Sequence, residues 1–233
     1  MNILEVRVDN LGRREILKKV SHFLNEEKFR QIATINPEFV LQAQKDEEFK
    51  NILNNCDLNV ADGIGIMFAF WWQREKLKYR MAGIDLMGEI LKIANEKKLK
   101  VFLVAKSGGL SSWEETRDAI LKKYPGLEIG GANLDRDDFL HNLQDLDYEL
   151  IFCNFGAPFQ EKFLNSQKND RIKLAVGVGG SFDYLTGKLK RAPKWMQFFG
   201  VEWFWRLMLQ PKRIKRIFNA VVIFPIKVLF KLK

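Results

Sequence analysis

Cysteine and histidine are scarce in this chain of 233 residues, and each absence removes a class of chemistry. Cys56 and Cys153 are the only cysteines, both in apolar stretches. A disulfide framework is therefore not expected and a reducing cytosol is favoured. The two histidines, His22 and His141, have no ligand partner at metal-binding spacing, so no metal site is expected. No Gly-x-Ser-x-Gly elbow or Cys–His pairing marks a covalent nucleophile. No Walker loop and no complete Gly-x-Gly-x-x-Gly opens a βαβ unit, which disfavours a sugar-nucleotide dehydrogenase or epimerase. The opening MNILEVRVDN contains acids and lacks the apolar core of a secretory signal. The apolar run from Phe218 to Phe230 falls short of the ~20 residues that span a bilayer, and Pro225 and Lys227 interrupt it.

What is present is a body rich in apolar residues and a strongly basic tail. Hydrophobic residues make up 47% of the chain, enough for a sizeable core. From Gly187 onward twelve Lys or Arg face a single acid, Glu202, a net +11 that leaves −2 for the rest. The change of composition predicts a body over residues 1–187 and a helical appendage over 188–233. Such asymmetry calls for a polyanionic partner for the tail alone.

Along the body, strands and helices alternate. Residues 3–8 (ILEVRV) alternate like a strand, and Ile16, Leu17, Val20, Phe23 and Leu24 keep helical spacing. Further strands are expected at 31–35, 58–61, 101–105, 127–130, 148–154 and 174–178. Helices are expected at 38–54, 64–72, 112–123, 137–143 and 159–167, and in a long segment capped by Asp85. Ser111 and Glu114 form a capping-box candidate. This order predicts an α/β fold, a mostly parallel, Rossmann-like sheet with helices on both faces. Ligands of such sheets sit outside the carboxyl ends of the strands. Asn36, Asp62, Ser107 to Gly109, Gly156 and Gly177 to Asp183 all fall there, and that coincidence marks the candidate site.

Each of these residues also has a plain structural reading. Asn36 before Pro37 is a helix cap with proline at the first helical position, and Asp62-Gly63 could be no more than a cap and a turn. Gln160, in Phe155-Gly-Ala-Pro-Phe-Gln-Glu161, opens a helix, where it could donate to a phosphate or sugar oxygen. Gly177-Val-Gly-Gly180 allows either a tight turn or close backbone approach to a diphosphate. Asp135-Arg-Asp137 and Asp145-Leu-Asp147 have the look of metal-binding acid pairs, but charged helix flanks explain them better. In the tail, Ile214, Ile217, Phe218, Val221, Phe224, Val228 and Leu229 keep one helical face while Lys212, Arg213, Lys215 and Arg216 cluster at its start. This pattern fits a helix lying in a membrane interface. A core-packed helix with a solvated basic face and a nucleic-acid-binding tail are the competing readings, and deep apolar residues do little for phosphate binding.

Taken in order, these motifs resemble the bacterial WecG/TagA/CpsF glycosyltransferase family. The carrying residues are Thr34-Ile-Asn36-Pro-Glu, Ala61-Asp-Gly63, Tyr79-Arg-Met-Ala-Gly83, Phe155 to Glu161 and Gly177-Val-Gly-Gly-Ser-Phe-Asp183, with Arg191-Ala-Pro193, Glu202-Trp203, Arg206 and Pro211-x-Arg213. The resemblance implies an inverting, metal-independent transfer, without a cofactor, from a UDP-sugar to an undecaprenyl-diphosphate-linked N-acetylglucosamine. In the teichoic-acid members the donor is UDP-N-acetylmannosamine and the acceptor oxygen the 4-hydroxyl; other members transfer N-acetylmannosaminuronic acid or hexoses. It further implies Asp62 as general base, and Thr34, Asn36, Arg80 and Gln160 around the sugar and leaving diphosphate. Gly177, Gly179, Gly180 and Asp183 would face the nucleotide, with Arg206, Arg213 and Arg216 closing over the site. The implied location is cytoplasmic, peripheral on the inner face of the plasma membrane, where the tail meets anionic lipid. No nucleic-acid partner is expected. Away from a membrane the apolar tail face could pair with a second copy.

Overall fold

The computed structural model describes residues 1–136, 143 and 147–230. It opens with a small antiparallel pair, β1 (Asn2–Ile3) and β2 (Val6–Arg7). The alternating opening is thus not one strand. Leu4 and Glu5 take left-handed backbone angles, φ 46° and 65°, and turn the chain back on itself. Then follow α1 (Arg13–Phe23), β3 (Arg30–Ile35), α2 (Pro37–Ala43), α3 (Glu47–Asn55), β4 (Leu58–Ala61), α4 (Ile64–Trp72) and α5 (Gly83–Lys97). The single helix expected at 38–54 is two, because Asp46 interrupts it and its carboxylate caps α3 by accepting from the Phe49 N–H at 3.0 Å.

The second half contains β5 (Val101–Lys106), α6 (Trp113–Leu121), β6 (Ile129–Leu134), β7 (Leu150–Cys153), α7 (Phe159–Ser166), β8 (Leu174–Gly177) and α8 (Ser181–Leu185). The expected capping box forms one residue later, between Ser112 and Glu115, and Ser111 is buried with its hydroxyl 2.8 Å from that of Thr186. Asp85 is no cap either. Helix α5 starts before it, and its carboxylate binds both terminal nitrogens of Arg191 at 2.6 and 2.7 Å. The helix expected at 137–143 lies almost wholly outside the described residues, as do Asp137, His141 and Asp145.

Six strands form one sheet in the order β4-β3-β8-β7-β5-β6, every pairing parallel. All carboxyl ends therefore meet at one edge. Both faces are apolar, since alternate residues point opposite ways. Ile32, Leu58, Leu103, Phe152 and Val176 pack beneath α1, α5 and α6. On the other face, Ala33 and Ile35 pack against α2, α3 and α4, while Phe102, Val104 and Ala175 pack against α7.

After α8 the chain forms α9 (Lys194–Phe198) and α10 (Glu202–Leu209), then a tight turn at Pro211–Arg213. It ends in α11 (Ile214–Phe218), one wider turn (Asn219–Ile223) and α12 (Phe224–Phe230). No described helix is long and apolar enough to cross a membrane. Phe224 is fully buried and Val228 nearly so, both within the core beneath α2 and α4. The missing side chain of Gly65 makes the notch: a Cβ there would stand 3.4 Å from the Phe224 ring and 2.4 Å from Pro37. Docking of this one ring returns the basic tail to the sheet's carboxyl edge.

Phe224→Ala should accordingly cost ~3–5 kcal/mol in denaturant unfolding. The same change at Phe230, 69% exposed, should cost under about 1 kcal/mol. Equal effects would mean that α12 does not dock.

Candidate active site

The carboxyl ends of the strands and the returning tail enclose a cavity of about 620 Å³. Thr34, Asn36, Asp62, Arg80, Gln160, Gly179, Gly180, Asp183, Arg206, Arg213 and Arg216 all line it. Gly177 stands just behind, as the last residue of β8.

At the β3–β4 end, Asn36 caps α2, its side-chain oxygen accepting from the Glu38 and Phe39 N–H groups at 3.0 and 3.2 Å. Its capping and cavity-lining positions coexist. Next to it, the Asp62 N–H donates to the Ile35 carbonyl at 2.8 Å, and Gly63, at φ 82°, starts α4. A side chain at Gly63 would be strained there, so the turn that presents Asp62 depends on glycine. Burial, reinforced by Glu202, pushes the Asp62 carboxyl up to about 6, while Arg80, Arg206 and the Gly63 N–H pull the other way. Arg80 is itself anchored, donating to the Gln197 carbonyl at 2.7 Å and standing 3.8 Å from Glu202. Such a carboxyl is ionised near neutral pH yet holds a proton far better than a solvated aspartate.

The middle of the cavity is built on Gln160. Its side-chain oxygen accepts from Gly156 N–H at 2.9 Å and Gly179 N–H at 3.1 Å, and its nitrogen donates to Glu161 Oε1 at 2.6 Å. Gln160 thus ties the turn after β7 to the turn after β8. Gly177 permits this, because a Cβ there would fall 2.3 Å from the Gln160 nitrogen and 2.5 Å from the Glu161 carboxyl. Burial pushes the Glu161 carboxyl up to about 8, so the neutral acid predominates at pH 7. Cys56 and Cys153 are buried thiols whose pKa burial raises, which leaves no thiolate for catalysis.

The tail supplies the remaining wall. Arg206 lies over the Tyr184 ring at 5.3 Å, and its Nη2 stands 2.7 Å from where a Cβ on Gly180 would be. A side chain at Gly180 would make the guanidinium shift. Its Nε is enclosed and has no hydrogen-bond partner. Burial pushes Arg213 down to about 10, and the neighbouring charges of Arg206 and Arg216 add to the effect. Arg216 is paired, with two nitrogens on the Glu38 carboxylate. Asp183 is raised chiefly by its burial, against a hydrogen bond from Ser111 and the charges of Arg206 and Arg213. Among the described residues no group of three or more His, Cys, Asp or Glu could hold a metal ion.

Several lining residues had no marker in the sequence. Asn154 accepts from the Lys106 N–H at 2.7 Å and joins the ends of β7 and β5. Arg136 stood only as the spacer between two acids, with no signal in the sequence that it lines the cavity. Glu202 was noted in a motif, without its effect on Asp62.

A family model described as Glycosyl transferase WecG/TagA/CpsF family matches residues 1–233. A curated protein of Bacillus subtilis (strain 168) is 32% identical over 203 residues, covering 85% of this chain and 78% of the relative. It is named N-acetylglucosaminyldiphosphoundecaprenol N-acetyl-beta-D-mannosaminyltransferase. Proteins with that name from Bacillus spizizenii (strain ATCC 23059 / NRRL B-14472 / W23) and Staphylococcus aureus (strain MRSA252) are 30% and 29% identical. They cover 88% and 98% of this chain, and 82% and 91% of their own lengths.

The electrostatics can be checked without any substrate. Glu202→Gln removes a charge that raises Asp62 and releases Arg80, which lowers it, so both effects act in one direction. Carboxyl-carbon NMR should show the Asp62 midpoint moving below about 6. An unchanged or higher midpoint would contradict the arrangement.

Proposed function

The chain belongs to the WecG/TagA/CpsF glycosyltransferase family, and we propose that it moves N-acetylmannosamine from UDP-N-acetylmannosamine to undecaprenyl-diphosphate-linked N-acetylglucosamine. The acceptor atom is the 4-hydroxyl, the transfer inverts the anomeric carbon, and the product serves wall teichoic acid or a related surface polysaccharide. One observation carries the reading: a single cavity holds a carboxylate of raised pKa, Asp62, together with Arg206 and Arg213, which have no bonded counter-ion among the described residues. The relatives' names supply the sugar and the lipid-linked acceptor.

In the proposed step Asp62 accepts the hydroxyl proton as the acceptor oxygen attacks the anomeric carbon. The bond from that carbon to the UDP oxygen breaks, and UDP departs with the electron pair. Positioned base catalysis contributes roughly 10²–10⁴-fold. The negative charge developing on the diphosphate meets Arg206 and Arg213 in the cleft, where fixed cations stabilise it with little reorganisation. These cations do the work that a divalent ion does elsewhere.

The same reading places the tail against an anionic bilayer. Trp195, Phe198, Phe199, Phe204, Ile214 and Phe218 are exposed beside Lys194, Lys212 and Lys215. Greasy side chains among cations suit the headgroup boundary.

Four outcomes are expected. Asp62→Asn should keep UDP affinity and lose ~10²–10⁴-fold in kcat; normal turnover would make Asp62 a turn residue only. In the wild type, kcat/KM should rise with pH and level off above about 6, because the protonated form below that value cannot accept a proton. The sign for stability is opposite. A carboxyl raised from 3.8 to about 6 resists ionising in the fold, so this group's cost is full above about 6 and disappears as pH falls past 3.8. The Asn variant should thus be no less stable than wild type at pH 7. Finally, Phe198→Ser with Phe199→Ser should weaken binding to phosphatidylglycerol vesicles by on the order of 10-fold or more. Unchanged co-sedimentation would remove this surface from the membrane contact.

A further inference from the structure

Arg136 stands two residues beyond β6, at the sheet edge that carries Asp62 but at the opposite end of the strand order. Its guanidinium lies over the Phe159 ring at 5.5 Å, and its Nη2 is 3.8 Å from where a Cβ on Gly156 would be. Its Nε is closed to solvent and has no hydrogen-bond partner. Among the described residues no carboxylate forms an ion pair with it. An enclosed, unbonded N–H on a cation is costly unless an acceptor arrives. Phe159 covers one face of the group and favours its charge through the ring electrons. The rest faces the cavity.

The position of Arg136 mirrors that of Arg206. Arg206 lies against Gly180 in the turn after β8; Arg136 lies over Gly156 in the turn after β7. The two strands are neighbours, ~4.8 Å apart. Between the guanidinium groups, the N–H groups of Gly156 and Gly179 are both committed to Gln160. The Gly179 N–H, expected to approach a diphosphate, is thus already used, and the positive charge at these turns comes from side chains. One of those is on the tail and the other on the body.

We infer that Arg136 binds the diphosphate of the donor nucleotide, opposite Arg206 and across the turns at Gly156 and Gly179–Gly180. The assignment rests on the UDP-sugar reading given above. It divides the work between the two parts of the chain. Arg136 holds the diphosphate from the β6 side whether or not the tail is seated, and Arg206 completes the contact when the tail docks. Lys106, at the end of β5, lines the same part of the cavity and adds to the local positive charge.

Isothermal calorimetry with UDP and with uridine tests this on the full-length protein. Arg136→Gln should weaken UDP binding roughly 10- to 100-fold, the effect of losing charge-assisted hydrogen bonds. It should leave uridine binding unchanged and should not lower the thermal midpoint, since the enclosed, unbonded N–H is removed. Arg136→Lys should recover part of the UDP affinity, since charge returns without the two-pronged geometry. Arg136→Met keeps the aliphatic stem on Phe159 and gives the same reading if the amide disturbs the turn. UDP affinity within about twofold of wild type in both uncharged variants would overturn the assignment. An equal loss for uridine would also overturn it, because Arg136 would then meet the nucleoside. Both results leave the donor reading standing. A wild-type protein that takes up no UDP would remove the donor reading, and this role with it.

Discussion

Arg206 and Arg213 are held beside each other at the cavity, with no carboxylate among the described residues bonded to either, and the site depends on that enforced crowding of charge. Like charges at a half-buried surface repel, so the fold must supply the energy that keeps them together. It does so through contacts remote from the guanidinium groups. Phe224 fills the notch at Gly65, Arg216 binds Glu38, and Arg191 binds Asp85. Arg80 reaches the Gln197 carbonyl from the body side. These contacts join the tail to α2, α4 and α5. In the proposed reading, the departing diphosphate relieves that repulsion as it sits between the two arginines.

Asp62 reports on the same arrangement from the other end. The charges that set its acidity come from both parts of the chain: Glu202 and Arg206 from the tail, Arg80 from the body. Its proton affinity is therefore a property of the assembled site and not of the strand end alone. The proposed chemistry uses both ends at once, a base for the incoming hydroxyl and cations for the departing diphosphate. Between them, Gln160 ties the turns after β7 and β8 to one side chain.

Much of this was legible beforehand, for identifiable reasons. Apolar runs such as Val101 to Ala105 and Leu174 to Val178 announce strands covered on both faces, and polar residues just past such runs announce the functional edge. Legibility failed where a distant contact overrode a local signal. Ser111 and Ser112 each precede a glutamate by three residues, and only the burial of Ser111 against Thr186 decides between them. Asp85 has the character of a cap but belongs to Arg191, 106 positions away. Residues 3–8 alternate like a strand, and no glycine or asparagine announces the turn at Leu4 and Glu5. Arg136 carried no pattern at all. The amphipathic spacing of the tail told which face is apolar, but not that Phe224 would be buried in the body while Phe230 stays exposed.

The most direct test is transfer itself, on chelator-treated protein with UDP-N-acetylmannosamine and a soluble lipid-diphosphate-N-acetylglucosamine analogue. Single-turnover kinetics would follow UDP release, and proton NMR would read the new anomeric centre. If fixed arginines stabilise the departing diphosphate and Asp62 takes the proton, an inverted disaccharide should form as fast with chelator as without. Transfer that appears only when a divalent cation is added back, or a product with retained configuration, would contradict the account.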